Sequence, residues 1–227
     1  MATISDVFFD LDHTLWDFEK NSAIAFDIIF KKYDIGVELN TFLTHYIPIN
    51  LKYWELYRTE KISQQELRYN RLKEAFEAID HRISDADIAL LSADYIFYLP
   101  QSNFLFDGTI EILDYLKSKY RLHIITNGFA AIQHNKLSNS NIEHYFETVT
   151  NSEMAGVKKP NPLIFEHALN LANAKRENSV MIGDCIQADV WGAINCGLDA
   201  ILFTQNTVGN YGGVKQVAHL SDLKNYL

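Results

Sequence analysis

The chain has 227 residues, 48% of them hydrophobic and 13% aromatic, with a formal net charge of −9. That is enough apolar material for one large domain or a core with a smaller companion, and the acidic balance argues against a nucleic-acid polymer as partner, since such proteins carry a basic face. Cys185 and Cys196 form no CxxC and no disulfide framework, residues 1–10 lack a signal-peptide pattern and no apolar run spans a bilayer; a cytoplasmic protein with no membrane partner is therefore expected.

The stretch Val7-Phe8-Phe9 reads as a buried strand and ends abruptly in Asp10-Leu11-Asp12-His13-Thr14. Residues i and i+2 of an extended chain point the same way, so Asp10 and Asp12 address one small volume. Two carboxylates that close repel unless a proton or a cation intervenes, which suits metal binding and a division of nucleophile and acid roles. The same residues also suit a turn or a helix cap.

A helical block follows. Residues 21–33 place Ile24, Ile28 and Ile29 on one side, and 39–58 is rich in apolar and aromatic residues but holds Pro48, expected to break or kink it. Ser63 with Glu66 is a capping box, Ser84 with Asp87 opens another helix, and Pro100 closes it. Tyr53, Trp54 and Tyr57 form an aromatic stripe that suits core packing or stacking on a base. A bundle of about four helices fits this block.

From Asp107 the rhythm changes. A helix with Leu113 and Leu116 leads to the strand Leu122-His123-Ile124-Ile125-Thr126, which stops at Asn127-Gly128. A helix through Lys136, a short strand at 148–151 and a helix over 163–173 come next. The strand Ser179-Val180-Met181-Ile182 ends at Gly183-Asp184, and a helix over 190–195 is capped by Gly197. The strand 200–203, a glycine-rich loop at 209–213, a weak strand and a helix over 221–226 complete the chain. Strands alternating with helices imply an α/β protein: a Rossmann-like parallel sheet core with helices on both faces, from residues 1–16 and 104–227, and an inserted α-helical cap domain, a helical bundle, over 17–103.

Four polar signals fall at or near strand ends: Asp10 with Asp12, Thr126 with Asn127, Lys159, and Asp184 with Asp189. Ligands of open α/β sheets sit outside the carboxyl ends of the strands, where these groups converge. Three or four carboxylates make an oxygen-rich site for Mg²⁺. A hydroxyl, an amide and a fixed ammonium suit phosphate oxygens. His134, His144 and His167 show no metal-ligand spacing, and Cys185 reads as a buried structural thiol.

In this order the signals resemble the motifs of the haloacid dehalogenase superfamily: DxDxT at Asp10 to Thr14, a strand-ending threonine in Thr126-Asn127-Gly128, the lysine of Lys158-Lys159-Pro160-Asn161-Pro162, and GDxxxxD from Gly183-Asp184 to Asp189. The helical insertion resembles the α-helical cap of that superfamily. The resemblance implies a Mg²⁺-dependent phosphomonoesterase acting on a small phosphorylated metabolite through an aspartyl-phosphate. Asp10 is then the nucleophile and Asp12 the acid and base. Thr126 and Asn127 hold the phosphoryl group, and Lys159 neutralises charge. The metal goes to the Asp10 side chain, the Asp12 backbone carbonyl and Asp184, with Asp189 a ligand through water or an orienting group. His13 departs from the glycine many members carry, so a different turn is expected there. Asp12 to Trp16 looks most like the pyrimidine and noncanonical nucleotide 5′-nucleotidase branch, which implies a nucleoside 5′-monophosphate. Competing readings are a sugar-phosphate or phosphoglycolate phosphatase, a 2-haloacid dehalogenase, against which Asp12 speaks, and a catalytically silent binding module.

Overall fold

In the computed structural model, which describes residues 3–205, 209 and 211–227, the first apolar run is strand β1 (Asp6–Phe9). It is followed by β2 (Arg121–Thr126), β3 (Thr148–Asn151), β4 (Ser179–Gly183), β5 (Asp199–Phe203) and β6 (Lys215–Val217). All pairings are parallel, in the order β3-β2-β1-β4-β5-β6. The chain thus winds outward from β1 to one edge through β2 and β3, then to the other through β4, β5 and β6. The direction reverses between β1 and β4, and such a reversal opens a crevice at the carboxyl ends of the strands.

The strands are apolar on both faces because both are covered. On one face Phe8, Ile125, Met181, Ala200 and Leu202 pack with Phe165, Ala168 and Leu169 of α8 (Pro162–Ala172). Val7, Phe9, Ile124, Val180, Ile182 and Ile201, also fully buried, alternate with these and face the other way. His123, the register partner of Phe8, is buried on the Phe8 face, stacked on that ring with centroids 4.7 Å apart and bonded to Asp6 and Thr148.

The chain divides into two compact units, Met1–Phe18 with Asn103–Leu227, and Glu19–Ser102. The second holds most of α1 (Phe18–Lys32), and α2 (Leu39–Arg58), α3 (Gln64–Glu77) and α4 (Asp85–Tyr98). Its centre is aromatic: Phe26, Phe30, Phe42, Tyr46, Phe76 and Tyr95 stack or meet edge to face. The capping box of Ser63 and Glu66 is present, and Ser84 caps α4. Tyr57 belongs to the core, with Trp54 edge-on at 5.7 Å.

Local detail differs from expectation at three places. Pro48 does not break α2, which runs unbroken through it. The ring is exposed, so the carbonyl it leaves unbonded faces water, while buried Phe42, Tyr46, Asn50 and Tyr57 hold the helix on either side. The helix expected over 190–195 is present but begins earlier, as a wide π-type turn at Ile186–Trp191 running into the short α9 (Gly192–Asn195). The final helix is of the 3₁₀ type, Leu220–Asn225; its buried Leu220 and Leu223 are three apart, the repeat of that helix. Residues 1 and 2 of the expected core segment and residue 210 of the expected glycine-rich loop lie outside the described residues. No helix among the described residues is long and apolar enough to cross a membrane.

Candidate active site

Asp10, Asp12, Thr126, Asn127 and Asp184 stand at or just beyond the carboxyl end of a strand, and Lys159 and Asp189 reach the same place from the segments that follow β3 and β4. Asp10 follows β1, and its N–H donates to Ile182 O at 2.9 Å, extending the β1–β4 ladder by one bond. The chain then turns sharply, with the N–H groups of Leu15 and Trp16 both bonded to Leu11 O. His13 takes the left-handed conformation, φ 63°, that glycine adopts without strain. The turn is thus made with a non-glycine residue in the left-handed region.

Lys159 is the hub. It is 2% exposed, and its Nζ lies 2.7 Å from Asp10 Oδ1 and 2.7 Å from Asp189 Oδ1, while donating to Ile125 O at 2.6 Å. Asn127 fixes its backbone at both ends, with Nδ2 donating to Lys159 O at 3.0 Å and Oδ1 accepting from Lys159 N at 2.7 Å. The Asn127 amide thus holds Lys159 in register with one of its two N–H groups and its carbonyl oxygen.

Thr126, the last residue of β2, accepts hydrogen bonds at Oγ1 from Gly128 N and Gln133 Nε2. Both lone pairs are taken, so its O–H is oriented to donate, as a phosphoryl oxygen requires.

Beyond β4, Asp189 folds back on the turn that carries it, accepting from Cys185 N at 3.0 Å. A Cβ on Gly183 would fall 2.3 Å from Asp189 Oδ2, so only glycine lets the carboxylate sit against the strand end. That close approach explains the glycine of GDxxxxD. Cys185 is half-buried rather than buried, and its sulfur accepts from Ala188 N in the same turn.

Carboxylate oxygens of Asp10, Asp184 and Asp189 lie within 4.8 Å of one another. Burial pushes the Asp10 carboxyl well above its usual range; Lys159 pulls it back, and the charges of Asp189 and Asp184 push it up again. Asp184 is pushed up to about 7 by burial and by Asp189. One ammonium serves three carboxylates, an excess of negative charge that a hard cation would balance. An all-oxygen donor set of this kind fits Mg²⁺.

Asp12 stands apart from that group. Its Oδ1 is 2.5 Å from Lys136 Nζ and its Oδ2 accepts from Gln133 Nε2 at 2.9 Å, both from α6 (Ala130–Asn139). Burial disfavours its charge, but the Lys136 ammonium and the two hydrogen bonds outweigh that and hold the carboxyl below its usual range. Neither Gln133 nor Lys136 was among the sequence candidates. The available signal was two long polar side chains, one turn apart, on the face of α6 that buries Ile132 and Leu137.

A sequence profile described as haloacid dehalogenase-like hydrolase matches residues 6–197. The chain belongs to this family. Among its haloacid dehalogenase-like relatives, the pyrimidine 5′-nucleotidase PynA of Streptococcus pneumoniae is 33% identical over 205 residues, covering 89% of this chain and 85% of PynA. The glyceraldehyde 3-phosphate phosphatase of Methanothermobacter thermautotrophicus is 34% identical over 203 residues, 86% of this chain and 84% of that one. The crystal structure of the HAD-hydrolase YfnB of Bacillus subtilis superimposes with a TM-score of 0.88 at 24% identity, covering 99% of both chains, a likeness of fold.

Proposed function

We propose that the chain is a Mg²⁺-dependent phosphomonoesterase that hydrolyses a small phosphorylated metabolite, a nucleoside 5′-monophosphate, through an aspartyl-phosphate. The observation that carries the reading is the second carboxylate. Asp12 is held at both oxygens beside a nucleophile candidate that is itself held by Lys159. Displacing a halide needs no acid for the leaving group, whereas expelling an alkoxide does. Asp12 therefore favours an ester over a haloacid, and the complete set of four motifs speaks against a silent binding module.

In the first half-reaction an Asp10 carboxylate oxygen attacks phosphorus. The ester P–O bond breaks as the Asp10–phosphorus bond forms, and the Asp12 carboxyl gives its proton to the departing oxygen. In the second, water attacks phosphorus, Asp12 takes the proton from that water, and cleavage of the Asp10–phosphorus bond returns the carboxylate and releases phosphate. The Thr126 O–H and the Lys159 ammonium oppose the charge on the equatorial oxygens throughout. Asp10, Asp184 and Asp189 would hold Mg²⁺ with the Asp12 carbonyl, and when bound the ion supplies further positive charge to the phosphoryl oxygens. PynA, a pyrimidine 5′-nucleotidase, supports the nucleotide substrate, and YfnB, described as bound to magnesium, supports the metal. The second reading, a triose-phosphate phosphatase, is supported by the glyceraldehyde 3-phosphate phosphatase relative.

A panel of nucleoside 5′-monophosphates, triose and sugar phosphates, phosphoglycolate and a 2-haloacid, assayed with Mg²⁺ and with chelator, separates these readings. Asp10→Asn should fold and lose turnover by about 10⁴-fold or more, as covalent catalysts do. Retention of a tenth of the activity excludes the covalent role.

A further inference from the structure

We infer that Gln133 and Lys136 form a two-armed clamp that positions Asp12 for proton transfer to the leaving group. The inference rests on the phosphomonoesterase reading and extends its machinery to α6.

An aspartate at a strand end has two free torsions, and an unrestrained carboxylate samples positions far from any one leaving oxygen. Here each oxygen has its own donor, Lys136 Nζ on Oδ1 at 2.5 Å and Gln133 Nε2 on Oδ2 at 2.9 Å. The donors are three residues apart on one helix, so they approach from one rigid element. A carboxyl group has about four lone-pair directions, so it accepts both bonds with room left for a proton. The two donors favour the charged form, so the clamp fixes where the proton is exchanged, and Asp12 acts as acid from its protonated minority and as base from the carboxylate. The same Gln133 amide also donates to Thr126 Oγ1 at 2.9 Å. A single planar group thereby sets the spacing between the acid and the hydroxyl aimed at the phosphoryl oxygens. Its orientation is fixed by chemistry, because a carboxylate accepts only from the nitrogen side.

Lys136 is also held from behind. It is 2% exposed, with its ammonium 4.2 Å from the Trp16 ring and 5.3 Å from the Phe18 ring. Trp16 is fully buried, and its Nε1 donates to Ser140 Oγ at 3.2 Å. This fixes the floor on which the ammonium lies. A buried ion pair is a poor device for stability, since an apolar pair of similar volume serves as well or better. Its presence here points to positioning.

Gly128 is an independent sign that the clamp is built in. A Cβ there would stand 1.6 Å from Gln133 Nε2 and 2.5 Å from its Cδ, so any other residue at 128 evicts the amide. The glycine after Thr126-Asn127 keeps open the path by which Gln133 reaches Asp12.

The test compares two leaving groups in the full-length protein with Mg²⁺. One is an alkyl phosphate that the wild type turns over, a nucleoside 5′-monophosphate or glyceraldehyde 3-phosphate, whose alkoxide needs a proton. The other is p-nitrophenyl phosphate, whose phenolate leaves without one. The readout is the ratio of kcat/KM for the two, which reports on steps through loss of the leaving group. Gln133→Leu and Lys136→Met should each lower this ratio by about 10-fold or more, in the direction of Asp12→Asn, because general acid catalysis contributes about 10²–10⁴-fold. Gly128→Ala should reproduce Gln133→Leu, and Lys136→Arg should recover part of the loss. If Asp12→Asn shifts the ratio while the clamp variants, folded by circular dichroism, keep that of the wild type, the clamp is refuted and the phosphatase reading stands. If Asp12→Asn itself leaves the ratio unmoved, the acid role of Asp12 fails and the clamp fails with it. Should one clamp variant not fold, the other, with Gly128→Ala, decides the matter.

Discussion

The crowding at the carboxylate cluster predicts an unusual dependence of stability on pH. Asp184 is raised from 3.8 to about 7, and Asp10 is raised as well. A carboxyl that holds its proton more tightly when folded contributes stability that is fully present below its unfolded pKa and is lost as pH climbs through the folded value. Without metal the protein should therefore weaken between pH 5 and 8, opposite to the usual effect of ion-paired carboxylates. The rise at Asp184 taken whole corresponds to about 4 kcal/mol at about 1.4 kcal/mol per tenfold. Asp184 is partly open to solvent, and screening reduces the expectation to about 1–2 kcal/mol, a fall in Tm of about 2–8 °C. Mg²⁺ should reverse the trend, because it competes with the proton and its stabilisation grows as pH rises toward about 7 and levels off above it. The assay is thermal unfolding across pH 5–8 in chelator and in excess Mg²⁺, for wild type and Asp184→Asn. The variant removes one raised carboxyl and relieves Asp10, so its slope in chelator should flatten. An unchanged slope in Asp184→Asn, or a Mg²⁺ effect equal at pH 5 and pH 8, would refute the reasoning.

Two further substitutions address the supports of the cluster. Gly183→Ala places a methyl 2.3 Å from Asp189 Oδ2 and must displace that carboxylate; calorimetric titration should show Mg²⁺ affinity reduced by about 10–100-fold, as for loss of an orienting group. Asn127→Ala frees the N–H and C=O of Lys159 that its amide now holds, and stability measured by denaturant should fall by about 1–3 kcal/mol, the cost of stranding buried polar groups, with kcat falling alongside because Lys159 loses its register.

The strand ends were legible in the sequence because each is marked twice, by an apolar run and by the polar residue that stops it. That is why Asp10, Thr126, Asp184 and their order could be read before any coordinates. Lys159 lies outside a strand and was legible through its place among the motifs. Gln133 and Lys136 escaped notice because helical periodicity is read from apolar residues, and two long polar chains at core-facing positions look like interruptions. Their purpose depends on Asp12, 121 and 124 residues away in sequence. Pro48 misled for the converse reason: the local rule is sound, but tertiary packing around Phe42 and Tyr57 overrides it. The wide turn at Ile186–Trp191 had no local signature, since it arises from Asp189 bending back to Cys185 and Gly183.

The strand order also bears on how the chain assembles during synthesis. β1 emerges first yet sits in the middle of the sheet, and its two neighbours are β2 and β4. The segment Glu19–Ser102 intervenes before β2 is made, and β4 completes only at Gly183. A short apolar strand must therefore wait on the ribosome while a contiguous helical unit, rich in local contacts, folds behind it. Charge placed directly after Val7-Phe8-Phe9 by Asp10 and Asp12 disfavours the joining of that unpaired apolar strand to another chain.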